Sequence, residues 1–263
     1  MGILNVTPDS FADGGLYLDP GAAEAAAVEM QAHGADIIDV GGESTRPGSE
    51  IISVEEEVAR IQPVLKRLAR TVSLPVSIDT SKAEVAEVAL GEGAALVNDV
   101  TGLRYDASLA EIAGRSGAGL ILMHSRARSR EMYKDAVYTS VGAEVGDELR
   151  ASLERAIAAG VPRSSVVLDP GLGFAKKAWH SYEALAALPE LAALDCPLLV
   201  GPSRKSFLTA ATGERLPAER DMGTAAAVTA AVLLGAHIVR VHNVLAMADV
   251  VKVADAIRGG RSC

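Results

Sequence analysis

A chain of 263 residues has the length of a single barrel of alternating strands and helices, and hydrophobic residues at 49% suffice for a large core. Aromatics are only 3%, so that core must be built from Ala, Val, Leu and Ile. The formal charge of −9 argues against a global electrostatic grip on nucleic acid or an anionic membrane, and leaves any anionic ligand to a local cluster of cations.

Along the chain, short aliphatic runs recur, each ending in polar residues: 2–6, 35–40, 74–79, 94–99, 119–124, 165–170, 196–201 and 237–242. Runs apolar on both faces predict buried parallel strands. Ala-rich segments with helical spacing lie between them. The first is predicted to start at Asp19-Pro20, an N-cap followed by proline at the first helical position, and to stop near Gly34. Ser53-Val54-Glu55-Glu56 and Ser81-Lys82-Ala83-Glu84 read as capping boxes. Further helical stretches are 109–113, 144–159, 182–188, 224–234 and 246–257. The longest irregular stretch, Ser125 to Val141, has a length usually reserved for functional or mobile loops.

Eight strands alternating with helices can form an open doubly wound sheet or a closed barrel. No GxGxxG follows the first strand, and eight near-regular units in this length favour closure. The expectation is an α/β fold, a (β/α)8 TIM barrel, with residues 1–263 forming one domain. Cys196 and Cys263 lie in no metal-binding or paired context. No apolar run reaches the roughly 18 residues of a membrane span, and no basic, apolar leader opens the chain, so a cytoplasmic enzyme is expected.

In such a barrel the active site is built at the C-terminal strand ends. Here those ends carry Asn5, Asp39, Asp79, Asn98 with Asp99, His124, Asp169, the Ser203-Arg204-Lys205 run, and Arg240 with His242. One such carboxylate is ordinarily a helix cap or loop anchor; eight polar ends converging are not. Asp79, Asn98, Asp169 and Lys205 offer acceptors, an amide and an ammonium suited to a flat heterocycle such as a pterin or purine. A structural ion pair, for instance Asp169 with Lys205, is compatible with that use. Thr45, Arg46, Arg240 and His242 match phosphate recognition, and Asn5 can join them or lend an oxygen to Mg²⁺. Loops 7–15 and 41–48 are rich in Gly, Pro, Asp and Ser, which is also ordinary turn chemistry, and Phe11 sits in the first of them. In Asp169-Pro170-Gly171-Leu172-Gly173-Phe174 the glycines permit close backbone approach to a ligand.

Taken in order, NVTPDSFADGG (5–15), DVGGESTRPG (39–48), SIDT (77–80), VNDVTG (97–102), LDPGLGFAK (168–176), VGPSRKSFL (200–208) and GAHIVRVHNV (235–244) resemble the dihydropteroate synthases of the folate pathway. The resemblance runs over nearly the whole chain. It implies condensation of 6-hydroxymethyl-7,8-dihydropterin diphosphate with 4-aminobenzoate to give dihydropteroate and pyrophosphate, with Mg²⁺ as cofactor, in a homodimer that sulfonamides target. By motif, it implies that Asp79, Asn98, Asp169 and Lys205 hold the pterin, while Asn5, Thr45, Arg46, Arg240 and His242 face the diphosphate and its Mg²⁺. Phe11, Thr45, Pro47, Lys205 and Ser206 would shape the aminobenzoate pocket. Asp9 and Asp13 belong to the first loop, and Met123, Phe174, Gly201 and Ser203 complete the implied substrate contacts.

The sequence departs from that pattern in places. It begins within the first strand, implying a short N-terminus; Pro202 lacks an N–H where Thr or Ala is common; Asn243 replaces a common Asp beside His242; and Ser125-Arg126-Ala127 replaces Met-Arg-Gly. Two other readings share part of the signal: a barrel transferring a methyl group from methyltetrahydrofolate, and a non-catalytic pterin-binding barrel. The first does not require the 5–11, 45–48 and 203–207 segments, and against the second stand intact polar residues at every matched position.

Overall fold

The computed structural model describes residues 1–7, 19–44, 49–126, 133 and 136–259. Eight parallel strands follow in chain order: β1 (Gly2–Asn5), β2 (Ile38–Gly41), β3 (Val76–Asp79), β4 (Leu96–Asp99), β5 (Gly119–Met123), β6 (Val166–Asp169), β7 (Leu199–Val200) and β8 (Ile238–Val239). The first six form one sheet in sequence order and β7 pairs with β8. Bridges Leu168–Leu198 and Gly2–Val241 join the two sheets on both sides, so the barrel closes as expected. The regular strands are shorter than the aliphatic runs because pairing thins at their ends. Single bonds such as His124 N–H to Asp169 O (2.8 Å) and Arg240 N–H to Val200 O (3.0 Å) carry the ladder onward.

The helices are α1 (Pro20–Ala32), α2 (Val54–Thr71), α3 (Ala83–Gly91), α4 (Ser108–Ser116), α5 (Val141–Ala158), α6 (Ala178–Ala186), the short α7 (Leu188–Leu191) and α8 (Thr209–Thr212), α9 (Asp221–Leu233) and α10 (Val244–Gly259). Asp19 caps α1 through the Ala22 N–H at 2.8 Å, and Ser53 caps α2 through the Glu56 N–H at 3.2 Å. The Glu56 carboxylate leans forward to Arg60 at 2.5 Å, so only half of the first predicted box forms. The second does not form: Lys82 occupies the cap position of α3, and Asp106 from the loop after β4 takes the Ala83 N–H at 2.8 Å. Local spacing could not reveal a cap supplied from the neighbouring βα unit. Among the described residues, no helix is long and apolar enough to cross a membrane.

Two apolar layers result. Outward-facing Leu4, Ile38, Ile78, Val97, Leu120 and Leu168 pack with the helices in the main core. Inside, Met1, Ile37, Leu96, Ile121, Val167, Leu199 and Ile238 plug the barrel. A barrel interior ordinarily continues in such aliphatic layers. Here Asp39, Ser77, Asp79, Asn98, Asp169 and Arg240 take over toward the C-terminal strand ends, and this change of chemistry defines the site.

Candidate active site at the barrel mouth

Arg240, just beyond β8, reaches β2 and β3 across the interior. Its Nε donates to Asp39 Oδ2 at 2.6 Å and its Nη2 to Asp79 Oδ2 at 2.7 Å. Asn98 Nδ2 donates to the same Asp39 oxygen at 3.0 Å. Asp39 is fully buried and Asp79 nearly so. Among the described residues, Asp39 Oδ1, Asp79 Oδ1 and Ser77 Oγ find no hydrogen-bond partner. Buried polar atoms are seldom left unpaired, so three together point to donors brought by a ligand. Burial pushes Asp79 up to about 7, against the pull of Arg240.

Asp169, at the end of β6, accepts from the Gly171 N–H at 2.7 Å, and burial raises its pKa against the pull of Lys205. Lys205 Nζ donates to Leu172 O at 2.6 Å and lies 4.4 Å from the centre of the Phe174 ring. Burial lowers Lys205 to about 8, with Asp169 opposing. Asp169 and Lys205 thus attract without a direct ion pair; the pairing that forms is Arg240 with Asp39 and Asp79. Met123 lies beside Asp169 in register. Gly201 sits between two cations, where a Cβ would lie 3.8 Å from Arg240 Cβ and 3.9 Å from Lys205 Nζ.

Ser203 organises His242. Its Oγ accepts the His242 N–H at 3.1 Å and lies 2.9 Å from Nδ1. With the hydroxyl donating to Nδ1, the neutral ring carries its proton on Nε2. Arg204 turns away, bonding both oxygens of Asp221 on α9 at 2.8 and 3.1 Å. Asn243 Nδ2 also donates to Asp221 Oδ2, at 2.9 Å, so the amide that departs from the family pattern complements a carboxylate. Ser206 is exposed where the chain leaves Lys205. Asn5 ends β1 opposite Gly41, where a Cβ would lie 3.5 Å from Asn5 Oδ1. Asp9, Phe11, Asp13, Thr45, Arg46 and Pro47 lie outside the described residues.

Two charged clusters escaped the sequence reading. Lys82 Nζ bonds Glu43 at 2.5 Å, Glu57 at 2.6 Å and Ile52 O at 2.8 Å, which ties together the two flanks of residues 45–48. Lys176, wholly buried, places Nζ 2.7 Å from His124 Nδ1 and 3.2 Å from the carbonyls of Gly171 and Phe174. His124 Nε2 faces Glu148 on α5 at 3.2 Å. Glu148 also pairs with Arg126 and Arg104, and Arg126 lies over the Tyr138 ring at 3.9 Å. Burial lowers Lys176 to about 7 and His124 to about 4. The signal was the lysine closing the 168–176 run; its side-chain partner His124 lies 52 residues away, too far to be paired by spacing. Beside these clusters a cavity of about 630 Å³ reaches Asp79 and Phe174 from the loops after β2 to β5.

Asn5 supplies the one neutral oxygen proposed for Mg²⁺, and among the described residues no group of three or more His, Cys, Asp or Glu could hold a metal. That donor set fits an ion that keeps most of its water and takes other ligands from phosphate.

Comparisons with known proteins agree with this chemistry. The family model described as pterin binding enzyme matches residues 1–242. Dihydropteroate synthase of Mycobacterium leprae is 48% identical over 262 residues, covering 97% of this chain and 92% of that protein. A crystal structure of the Yersinia pestis dihydropteroate synthase with a sulfonamide drug complex superposes with a TM-score of 0.94 at 38% identity, covering 99% of this chain and 94% of that one. The Xanthomonas albilineans dihydropteroate synthase with 4-aminobenzoic acid gives 0.90 at 40% identity, covering 98% and 92%.

Proposed function

The chain belongs to the pterin-binding enzyme family, and from that membership we propose that it is a dihydropteroate synthase, a transferase of folate biosynthesis. It would join 6-hydroxymethyl-7,8-dihydropterin diphosphate to 4-aminobenzoate and release pyrophosphate. The observation that carries this reading is the row of buried acceptors, Asp39 Oδ1, Ser77 Oγ and Asp79 Oδ1, lying above an aliphatic plug. A pterin presents amino and ring N–H groups to such acceptors, and its carbonyl oxygen suits the Lys205 ammonium.

In this proposal Asp79, Asn98 and Asp169 hold the pterin edge, with Met123, Phe174, Gly201 and Lys205 around the ring. Arg240, His242 through Nε2–H, Thr45 and Arg46 take the diphosphate, with Ser203 setting the His242 tautomer. When a pterin N–H replaces Arg240 at Asp79, Nη2 becomes available to the leaving group while Nε stays on Asp39. Phe11, Pro47, Thr45, Lys205 and Ser206 shape the amine pocket, with Asp9 and Asp13 in the first loop. Asn5 would hold Mg²⁺, which when bound supplies positive charge against the diphosphate oxygens.

The methylene C–O bond breaks first, its electron pair leaving on the diphosphate. The aryl amine lone pair then forms the C–N bond, and the amine proton passes to solvent. An uncharged aryl amine is a weak nucleophile, so this order is favoured. Asp169 and its neighbours stabilise the cationic pterin-methylene unit, and the cations at the mouth stabilise the departing diphosphate.

We also propose one barrel domain over 1–263, a cytoplasmic location, and a homodimer using late helices such as α9. Sulfonamides, as aminobenzoate mimics, would inhibit. The test is pyrophosphate release from the pterin diphosphate with Mg²⁺, with and without 4-aminobenzoate. Amine-dependent release with equimolar dihydropteroate is expected. Pterin binding without turnover would favour the methyl-transfer or non-catalytic readings.

A further inference from the structure

The Lys176 cluster has a definite proton count. An ammonium has three N–H donors, and three acceptors surround Nζ: His124 Nδ1 at 2.7 Å, and Gly171 O and Phe174 O at 3.2 Å. His124 Nδ1 then accepts, so the ring proton sits on Nε2 and donates to Glu148 at 3.2 Å. A neutral amine would leave one of the three acceptors without a donor. Reversing the His124 tautomer instead would turn its Nε2 lone pair toward the Glu148 carboxylate. The chain Lys176 ammonium, neutral His124, Glu148 carboxylate is therefore the arrangement that satisfies every partner. Asp169, Lys205 and Arg126 are the other charged groups whose fields reach Lys176.

The two carbonyls belong to the turn that builds the pterin wall. Gly171 donates its N–H to Asp169 Oδ1 at 2.7 Å, Phe174 stacks under Lys205, and Leu172 O holds Lys205 Nζ at 2.6 Å. Gly171 is pressed onto β5: with φ at 67°, an added Cβ would lie 2.0 Å from His124 O. We infer that Lys176 is a positioning residue, which locks turn 169–174 to His124 and so fixes Asp169 and Phe174 for the pterin. This rests on the pterin-binding reading above and adds to it a residue that would touch neither substrate.

The test compares wild type, Lys176→Met, His124→Leu and His124→Asn. Binding of 6-hydroxymethylpterin is titrated, KM is measured for both substrates, and thermal midpoints are recorded. Lys176→Met is expected to weaken pterin binding about tenfold while the KM for 4-aminobenzoate moves less than about threefold. His124→Leu should share the loss. His124→Asn, whose Oδ1 replaces Nδ1 as acceptor, should recover most of it. A purely structural role would lower the thermal midpoint without separating Asn from Leu in pterin affinity, and that result overturns the inference, as does wild-type affinity in Lys176→Met. If Lys176→Met does not fold, the His124 pair decides. Wild type that fails to bind pterin would instead overturn the functional reading.

Discussion

Arg240 holds Asp79 at 2.7 Å and Asp39 at 2.6 Å from one guanidinium, making it the only cation in direct contact with either carboxylate among the described residues. Replacing it with Ala leaves two like charges in a buried floor, and breaking a buried pair typically costs about 3–5 kcal/mol. Asp79 can relieve the charge by taking a proton, since losing Arg240 raises its pKa further. The Arg240→Ala stability loss should therefore be large at pH 8 and much smaller at pH 5, as read by urea midpoints. An equal loss at both pH values would contradict the pairing. Turnover should fall roughly a hundredfold or more.

Asp79 itself sets a pH dependence in the wild type. Its folded pKa is raised from 3.8 to about 7, chiefly by burial. The folded state thus binds the proton more tightly than the unfolded state. Its contribution is fully present below the unfolded value, is lost as pH rises to about 7, and is flat above that. Asp79→Asn should remove this part of the decline between pH 4 and 7 and leave a flatter profile in denaturant titrations. A variant profile parallel to wild type would show that Asp79 is ionised throughout.

Ser203 acts on the diphosphate side through His242, with Oγ 2.9 Å from Nδ1. Ser203→Ala frees the ring to take either tautomer and removes two hydrogen bonds, of which the one to Nδ1 is worth about 1 kcal/mol. The KM for the pterin diphosphate should rise about fivefold. The affinity for 6-hydroxymethylpterin, which lacks the diphosphate, should stay constant. Equal losses for both ligands would move Ser203 to the pterin pocket.

The order of the elements and most strand ends were legible because buried parallel strands leave unbroken aliphatic runs, as at 119–123 and 166–169. Asp79, Asn98, Asp169 and Arg240 were legible as ends of those runs, and barrel geometry alone makes them converge. Their pairing was not. Asp39 and Arg240 are 201 residues apart and meet only because β8 closes beside β1. Asp39 read as one more polar strand end, yet it is the fully buried anchor for Arg240 and Asn98. Lys176 and His124, 52 residues apart, meet because β5 and β6 pair side by side. Arg204 shows the converse: adjacent to Lys205, it points to α9 because its φ of 58° reverses the chain there.

Asn243 offers a test of a departure from the family pattern. Its amide donates to Asp221 Oδ2 at 2.9 Å, while its own Oδ1 accepts the Ala246 N–H at 3.2 Å in the first turn of α10. Aspartate at this position could keep the second bond but would oppose the first with a like charge. Asp221 already pairs with Arg204, and Arg204's hydrogen bonds are the main cause that holds its pKa below the ordinary carboxylate range. Asn243→Asp should therefore cost about 1 kcal/mol near neutral pH. The loss should shrink as pH falls and the new carboxyl takes a proton. Restoring the common aspartate would thus destabilise this chain; a gain in the urea midpoint at pH 7 would mean that Arg204 can serve both carboxylates.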